Sequence, residues 1–178
     1  FNGTDFSTAS ATSVDNIYLI SDATSGDGVY GASISFSRVQ YPDRRGAAIA
    51  SVQKGSDEDN VGLAFFTHPS ATASDPIVEA MRIDASGNVG IAGTPPAWGA
   101  AYANINIGNT GALWGSKSAA SLTALSDNSY HNGSASIARN TGAGSLYSMS
   151  SGGHTWSTFA SVSAGATQTE VARMRIDN

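Results

Sequence analysis

The chain has 178 residues, a formal net charge of −5 and a pI near 4.9. The absence of cysteine excludes disulfides and thiolate metal sites, and no apolar run approaches the roughly 18–20 residues that span a bilayer. The nine basic residues are scattered, which argues against a nucleic-acid interface. Large apolar side chains are sparse beside abundant Ser, Gly and Ala, so we expect the chain to share its core with identical chains.

Short alternating segments separated by turn residues follow one another along the chain. After a polar connector at 1–14, the pattern predicts a first unit at 15–97. Its predicted strands are 16–20, 31–39, 46–53, 61–67 and the two strands of the stretch 78–91. No segment shows a helical period of useful length, so the sequence predicts an all-β fold.

The stretch 78–91 reads VEAMRIDASGNVGI. Apolar residues alternate with charged or small ones on both sides of ASGN, which is turn-forming sequence. This pattern predicts a β-hairpin with one apolar and one charged face. The apolar positions are Met81, Ile83, Val89 and Ile91.

The sequence MRID returns at 174–177, close to the last residue of the chain. This return predicts a second unit, 98–178, that stops before its own hairpin turn. Its predicted strands are 103–108, 112–115, 122–125, 134–139, 146–149, 154–159 and 169–176. The two units share their closing strands and differ in their first halves, so we interpret them as a diverged repeat.

EAMRIDASGNVGI closely resembles the unit ERMRIDSSGNVGIG that recurs in phage tail-fibre and related virion fibre proteins. Further segments of the second unit, AWG at 97–99, INIG at 105–108, GALW at 111–114, LSDNSY at 125–130 and GHTW at 153–156, resemble the companion segment of such fibres. The resemblance covers most of 46–178. It implies an elongated, repeat-containing homotrimeric fibre on a virion, with its chains intertwined or side by side.

In a three-fold assembly the apolar strand faces would meet their symmetry mates. Arg82 and Asp84 would pair between chains and set register, since surface pairs of this kind contribute only about 0–1 kcal/mol each. The predicted trimer-interface residues are Met81, Ile83, Val89, Ile91, Met174 and Ile176.

Other motifs have structural interpretations. GDGVYG at 26–31 matches G-x-G-x-x-G, but a predicted strand follows it where a dinucleotide site needs a helix, so we interpret it as a turn. The three histidines lack metal-ligand spacing, and His68 and His154 occupy comparable places in the two units, which suggests that they hydrogen-bond turns. The acidic residues at 57–59 are interpreted as solvated loop charge rather than calcium ligands. We predict no metal and no cofactor.

Two aromatic residues, Tyr130 and Trp156, are candidates for stacking on a sugar. Trp98 and Trp114 are predicted instead to close the ends of a thin core. A glycan would be held by the loops at 21–28, 54–60 and 128–133.

The sequence therefore predicts a structural, non-enzymatic segment of a phage tail fibre that extends toward the host surface in the extracellular medium. Its partners would be two identical chains and other fibre or tail proteins, without nucleic acid or membrane insertion. Three alternatives stay open: a receptor-binding module for host surface glycan, a fibre attached to the capsid, and a polysaccharide depolymerase whose carboxylate pair comes from distant strands.

Overall fold

The computed structural model describes residues 17–22, 24–118 and 121–177, so the predicted connector at 1–14 lies outside it. The described residues form thirteen β-strands and no helix, which confirms the all-β prediction. The strands are β1 (Tyr30–Phe36), β2 (Ala47–Gln53), β3 (Val61–Thr67), β4 (Val78–Ile83), β5 (Val89–Ile91), β6 (Tyr102–Ile107), β7 (Gly111–Ser116), β8 (Leu122–Asp127), β9 (Ser129–His131), β10 (Ser136–Ala138), β11 (Gly142–Ser150), β12 (Gly153–Val162) and β13 (Glu170–Ile176).

The prediction of a strand at 16–20 is wrong for residues 17–20, the part of that stretch that the structure describes. Residues 17–20 form no strand and are exposed to solvent. A run of β-forming side chains becomes a strand only when a neighbouring strand pairs with it, and none does here.

Eleven strands form a single sheet in the order β1-β2-β3-β4-β5-β6-β7-β8-β11-β12-β13, and β9 pairs with β10 in a small second sheet. Neighbours in the large sheet are antiparallel except β5 and β6, which run parallel. A parallel pair requires a crossover rather than a tight turn, and residues 92–101 provide it. The two predicted repeat units therefore lie in one continuous sheet.

The two MRID strands enter the sheet with the same irregularity. Met81 lies opposite Phe65, and the register of β3 and β4 then shifts by a bulge. Met174 lies opposite Trp156, and the register of β12 and β13 shifts at the next position in the same way. Bulges bend a strand and increase its twist, so both closing strands are shaped alike.

The buried apolar cluster lies on one face of the sheet, beneath the crossover and the β9–β10 hairpin. Alanines at the strand centres leave room for the large rings of Trp98 and Trp114, whose centroids are 5.5 Å apart. These two rings were predicted at the ends of a thin core, and in the structure they belong to its buried cluster. Its members are Trp98, Ala112, Trp114, Ala124, Leu146 and Phe159.

The crossover (92–101) and the β9–β10 hairpin together form a covering layer on this face of the sheet. Two glycines allow that layer to approach the sheet. A Cβ on Gly90 would overlap the carbonyl oxygen of Gly93 and lie 2.7 Å from the Cδ of Pro95. A Cβ on Gly99 would lie 2.5 Å from the Cα of Gly133. Since such distances are far below van der Waals contact, only glycine lets the crossover lie this close to β5 and to the hairpin.

Candidate functional site

The opposite face of the large sheet carries a continuous row of large apolar side chains. Each member lies directly across from the next on the neighbouring strand, from β3 at one side to β13 at the other. The row consists of Leu63, Ile83, Val89, Ile105, Leu113, Leu125, Tyr147, Trp156 and Met174.

A second row runs beside the first, two residues along each strand. It extends from β1 to β6 and consists of Ile34, Ile49, Phe65, Met81, Ile91 and Ile107. Near the other side of the sheet, Met149, His154 and Ile176 lie across from one another in the same way. We call the surface formed by these rows the apolar face.

Much of the apolar face is open to water in a single chain. Leu125 is 55% exposed, and Met174 is 54% exposed. The alternate positions of the same strands, such as Ala124 and Ser126 on β8, are buried in the opposite direction. On β6 and β8 the small and polar side chains are thus packed while the large apolar ones are exposed. A contiguous exposed apolar surface marks an interaction site.

All six residues that the sequence predicts at a trimer interface lie on the apolar face. Met81 pairs with Ile91 and Ile83 with Val89 in the β4–β5 hairpin, whereas Met174 and Ile176 lie on β13 at the far side. Sequence reasoning missed the residues between them on β6 to β8, above all Ile105, Leu113 and Leu125. The alternation of their strands was visible, but alternation does not reveal which of two faces a fold leaves uncovered.

Arg82 forms an ion pair with Glu79 within its own chain. Its guanidinium donates two hydrogen bonds of 2.6 Å to Glu79 on the covered face, and the Tyr30 hydroxyl donates another of 2.7 Å. Burial favours the neutral form of Glu79, but the hydrogen bonds from Arg82 and Tyr30 outweigh this and lower the pKa of the carboxyl group. The hydrogen bonds to Glu79 likewise raise the pKa of Arg82. This cluster covers Ala64, which lies across from Arg82 and is fully buried.

Asp84 begins a chain of buried polar contacts that joins the hairpin turn to the crossover. Its carboxylate accepts hydrogen bonds from the backbone and side-chain nitrogens of Asn88 at 2.9 and 3.0 Å. The Asn104 side-chain amide donates to the side-chain oxygen of Asn88 at 2.5 Å, and the Asn106 amide donates to the side-chain oxygen of Asn104 at 2.6 Å. The chain of contacts ends where the Trp98 indole donates to the side-chain oxygen of Asn106 at 3.1 Å. The turn of the MRID hairpin and the crossover tryptophan are thereby held in one network, which the sequence did not reveal.

The candidate sugar-stacking residues lie on opposite faces of the sheet. Tyr130 is half-buried against Trp98 in the covering layer, with ring centroids 5.9 Å apart. Trp156 belongs to the apolar face and packs on Tyr147 at 5.0 Å. The two do not form a common platform.

The three histidines also lie apart. His68 Nε2 bonds the carbonyl oxygen of Asp75 at 3.0 Å inside the β3–β4 loop, as the turn prediction expects. His154 on β12 instead contacts the neighbouring strand β11, where its Nδ1 lies 2.6 Å from the Tyr147 hydroxyl. His131 packs on the Tyr102 ring at 5.0 Å, and burial lowers its pKa. Over the described ranges, no three His, Asp or Glu side chains are grouped as metal ligands would be.

Two of the predicted glycan loops are tied to each other. Asp27 accepts a hydrogen bond of 2.6 Å from the Gly55 backbone and lies 3.6 Å from the Lys54 ammonium. These contacts lower the pKa of the Asp27 carboxyl group, the Gly55 hydrogen bond having the largest effect. The contacts give these loops a structural role.

Comparison with known proteins adds no family assignment. No protein-family model matches the chain, and a search of curated proteins returns no match. The part of the chain that the structure describes has no helix with the length and apolarity needed to cross a membrane. The geometry of the sheet and the sequence motif of the β4–β5 hairpin are therefore the indications of function in this chain.

Proposed function

We propose that this chain is a structural segment of a virion fibre, a phage tail fibre, in which three copies pack through their apolar faces. The observation that carries the proposal is the row of large apolar side chains from β3 to β13, which a single chain leaves exposed. The resemblance of the β4–β5 hairpin to the repeat of phage fibres supports both the three-fold assembly and the location on a virion.

The energetics favour contact along the whole row. Further burial of a half-exposed Leu or Met contributes about 1 kcal/mol, whereas association costs roughly 4–15 kcal/mol in lost freedom. One or two residues would not offset that cost, but a face with rows spanning the sheet supplies many such contributions.

The chemistry of the face favours identical chains as partners. Both rows consist only of uncharged residues, and they offer no pattern of charge that would select a different protein. Interfaces between permanently associated identical subunits are the more apolar class and resemble a domain core cut in half. In the proposed trimer, each sheet completes the thin core of its neighbours.

Light scattering coupled to size exclusion tests the assembly. We expect the unmodified chain to be a trimer and the double variant Met81→Asp with Met174→Asp to lose that state. Leu125→Asp is a second variant with less risk to folding, because Leu125 is exposed in the single chain. Ser134→Asp adds the same charge at an exposed turn of the β9–β10 hairpin on the covered side and should remain trimeric. A trimeric Leu125→Asp protein, or a monomeric unmodified chain at micromolar concentration, would refute the proposed interface.

Electron microscopy of virions labelled with gold-conjugated antibody against the chain tests the location. Label along fibres at the tail is the expected result. Label on fibres that emerge from the capsid would move the same assembly to the capsid alternative and refute the tail assignment. Unlabelled particles would refute the virion location altogether.

A further inference from the structure

A cleft at one end of the sheet gathers basic side chains that the sequence shows as scattered. It lies between the β1–β2 loop (37–46) and the β3–β4 loop (68–77) and has a volume of about 330 Å³. Its lining includes Arg38, Arg44 and Arg45 from the first loop and His68 from the second. Three of the nine basic residues of an acidic chain thus surround one small space; we call it the arginine cleft.

Among the residues that the structure describes, no side-chain hydrogen bond or ion pair engages the guanidinium groups of the three arginines. Throughout the described ranges, the ion pairs involve other residues. Arg44 lies over the Tyr41 ring, 5.0 Å from its centroid, and stacking of this kind leaves the N–H edges of a guanidinium free. Asp43 lines an adjoining cleft with Arg44 and Arg45 but forms no ion pair with them. The guanidinium donors therefore remain available to a ligand.

Both walls of the arginine cleft are held by their own hydrogen bonds. The Ser37 hydroxyl lies 2.6 Å from the carbonyl oxygen of Tyr41 and 2.5 Å from that of Arg44. In the opposite loop, the Ser70 hydroxyl donates to the Asp75 carboxylate at 2.6 Å. A site whose walls are already fixed loses less conformational freedom when a ligand binds.

The chemistry of the cleft indicates what it would hold. A guanidinium presents a planar fork of donors that matches a carboxylate, sulfate or phosphate group. The volume is near the lower end of the range for small-molecule sites, roughly 300–1,000 Å³, which suits one or two sugar rings. Tyr41 is about half exposed beside the arginines. Arg44 covers one face of its ring, so the opposite face is the one that offers apolar contact to the C–H face of a sugar.

We propose that the arginine cleft is a binding site for an acidic saccharide, whose oxyanion is held by Arg38, Arg44 and Arg45 and whose ring packs on Tyr41. The site is separate from the assembly surface, because it is built by loops beyond the strand ends. It therefore adds a binding activity to a chain whose proposed function is structural, and it does not depend on that function. A compact cluster of this kind fits a short anionic ligand better than a nucleic acid, which needs an extended basic stripe.

Isothermal titration calorimetry of the full chain with three short probes tests the site: an oligogalacturonate, a sulfated dextran oligomer and neutral dextran. We expect at least one charged probe to bind and neutral dextran not to bind. The double variant Arg44→Gln with Arg45→Gln should weaken binding by about a hundredfold, since each lost charge-assisted hydrogen bond accounts for about one factor of ten. The control Lys117→Gln with Arg175→Gln removes the same charge at exposed sites outside the cleft and outside the three candidate glycan loops, and it should change affinity less than about twofold.

Arginine-dependent binding of either charged probe supports the proposal and identifies the anion as carboxylate or sulfate. The proposal is overturned if neither probe binds, if neutral dextran binds equally well, or if the control variant loses as much affinity as the double variant. Because the cleft residues lie in exposed loops, both variants should keep the circular dichroism spectrum of the unmodified chain. Arg38→Gln alone provides a milder variant and should still weaken binding.

Discussion

Replacement of Asn106 by alanine should cost more stability than any surface substitution in this chain. Asn106 is fully buried; its side-chain oxygen accepts a hydrogen bond from the Trp98 indole, and its amide donates to Asn104 and to the carbonyl of Val89. Alanine leaves the indole N–H and the Asn104 oxygen buried without these partners. An orphaned buried polar group costs about 1–3 kcal/mol, so we expect a loss of about 4 kcal/mol.

For a chain of this size, such a loss corresponds to a decrease of roughly 8–16 °C in melting temperature. Guanidinium unfolding followed by circular dichroism measures the free energy directly. It should be done at one fixed protein concentration, because assembly makes apparent stability depend on concentration. Asn109→Ala is the matched control, since Asn109 is exposed in the turn after β6 and contributes only its backbone carbonyl to a hydrogen bond.

A double-mutant cycle with Trp98→Phe isolates the central contact. Phenylalanine removes the N–H group, so Asn106→Ala should cost about 1 kcal/mol less in that background. Two results would contradict this prediction: an Asn106→Ala variant as stable as Asn109→Ala, or two substitutions whose effects simply add. The first result would mean that the buried network does not stabilise the junction of the two units, and the second that the contact between Trp98 and Asn106 contributes nothing to it.

Two further predictions concern the first unit. Gly90→Ala should destabilise the chain by about 1–3 kcal/mol or more in thermal unfolding, because the added Cβ has no space. Gly46→Ala, whose Cβ would lie at an ordinary 3.6 Å from the Phe36 carbonyl, should be nearly neutral, and equal effects would contradict the close approach of the crossover. The lowered pKa of Glu79 contributes stability that is present above its usual value of 4.5 and is lost as pH falls through the folded-state pKa. The stability difference between the unmodified chain and Glu79→Gln should therefore be larger at pH 7 than at pH 3.5 in urea unfolding; a constant difference would argue against the contact with Arg82.

The local elements of the fold could be predicted from sequence because each depends on neighbouring residues. Alternation and turn chemistry at 78–91 predicted the β4–β5 hairpin and the shared face of Met81, Ile83, Val89 and Ile91, as the structure has them. The parallel pairing of β5 with β6 could not be predicted this way, because it depends on where the crossover lies. Periodicity does not encode that position.

Periodicity also does not reveal which face of a strand the fold buries. In β6, asparagine and isoleucine alternate, and hydrophobicity alone would place the isoleucines inside. The structure buries Asn104 and Asn106 and exposes Ile105 and Ile107, because Asn88 and Trp98 supply hydrogen-bond partners on that side only. Buried polar groups are tolerated where such partners exist. Likewise, the arginine cleft forms only when the β1–β2 and β3–β4 loops come together at one end of the sheet.

The parallel pairing of β5 and β6 has a consequence for length. Strands lie about 4.8 Å apart in a sheet, and the second unit contributes six of them to the large sheet, β6, β7, β8, β11, β12 and β13. A further unit joined by the same pairing needs these six strands and one equivalent to β5, so each would lengthen the sheet by roughly 34 Å on that spacing. The length of the proposed fibre could then change in steps, through the gain or loss of whole units, without a change in the packing within any of them.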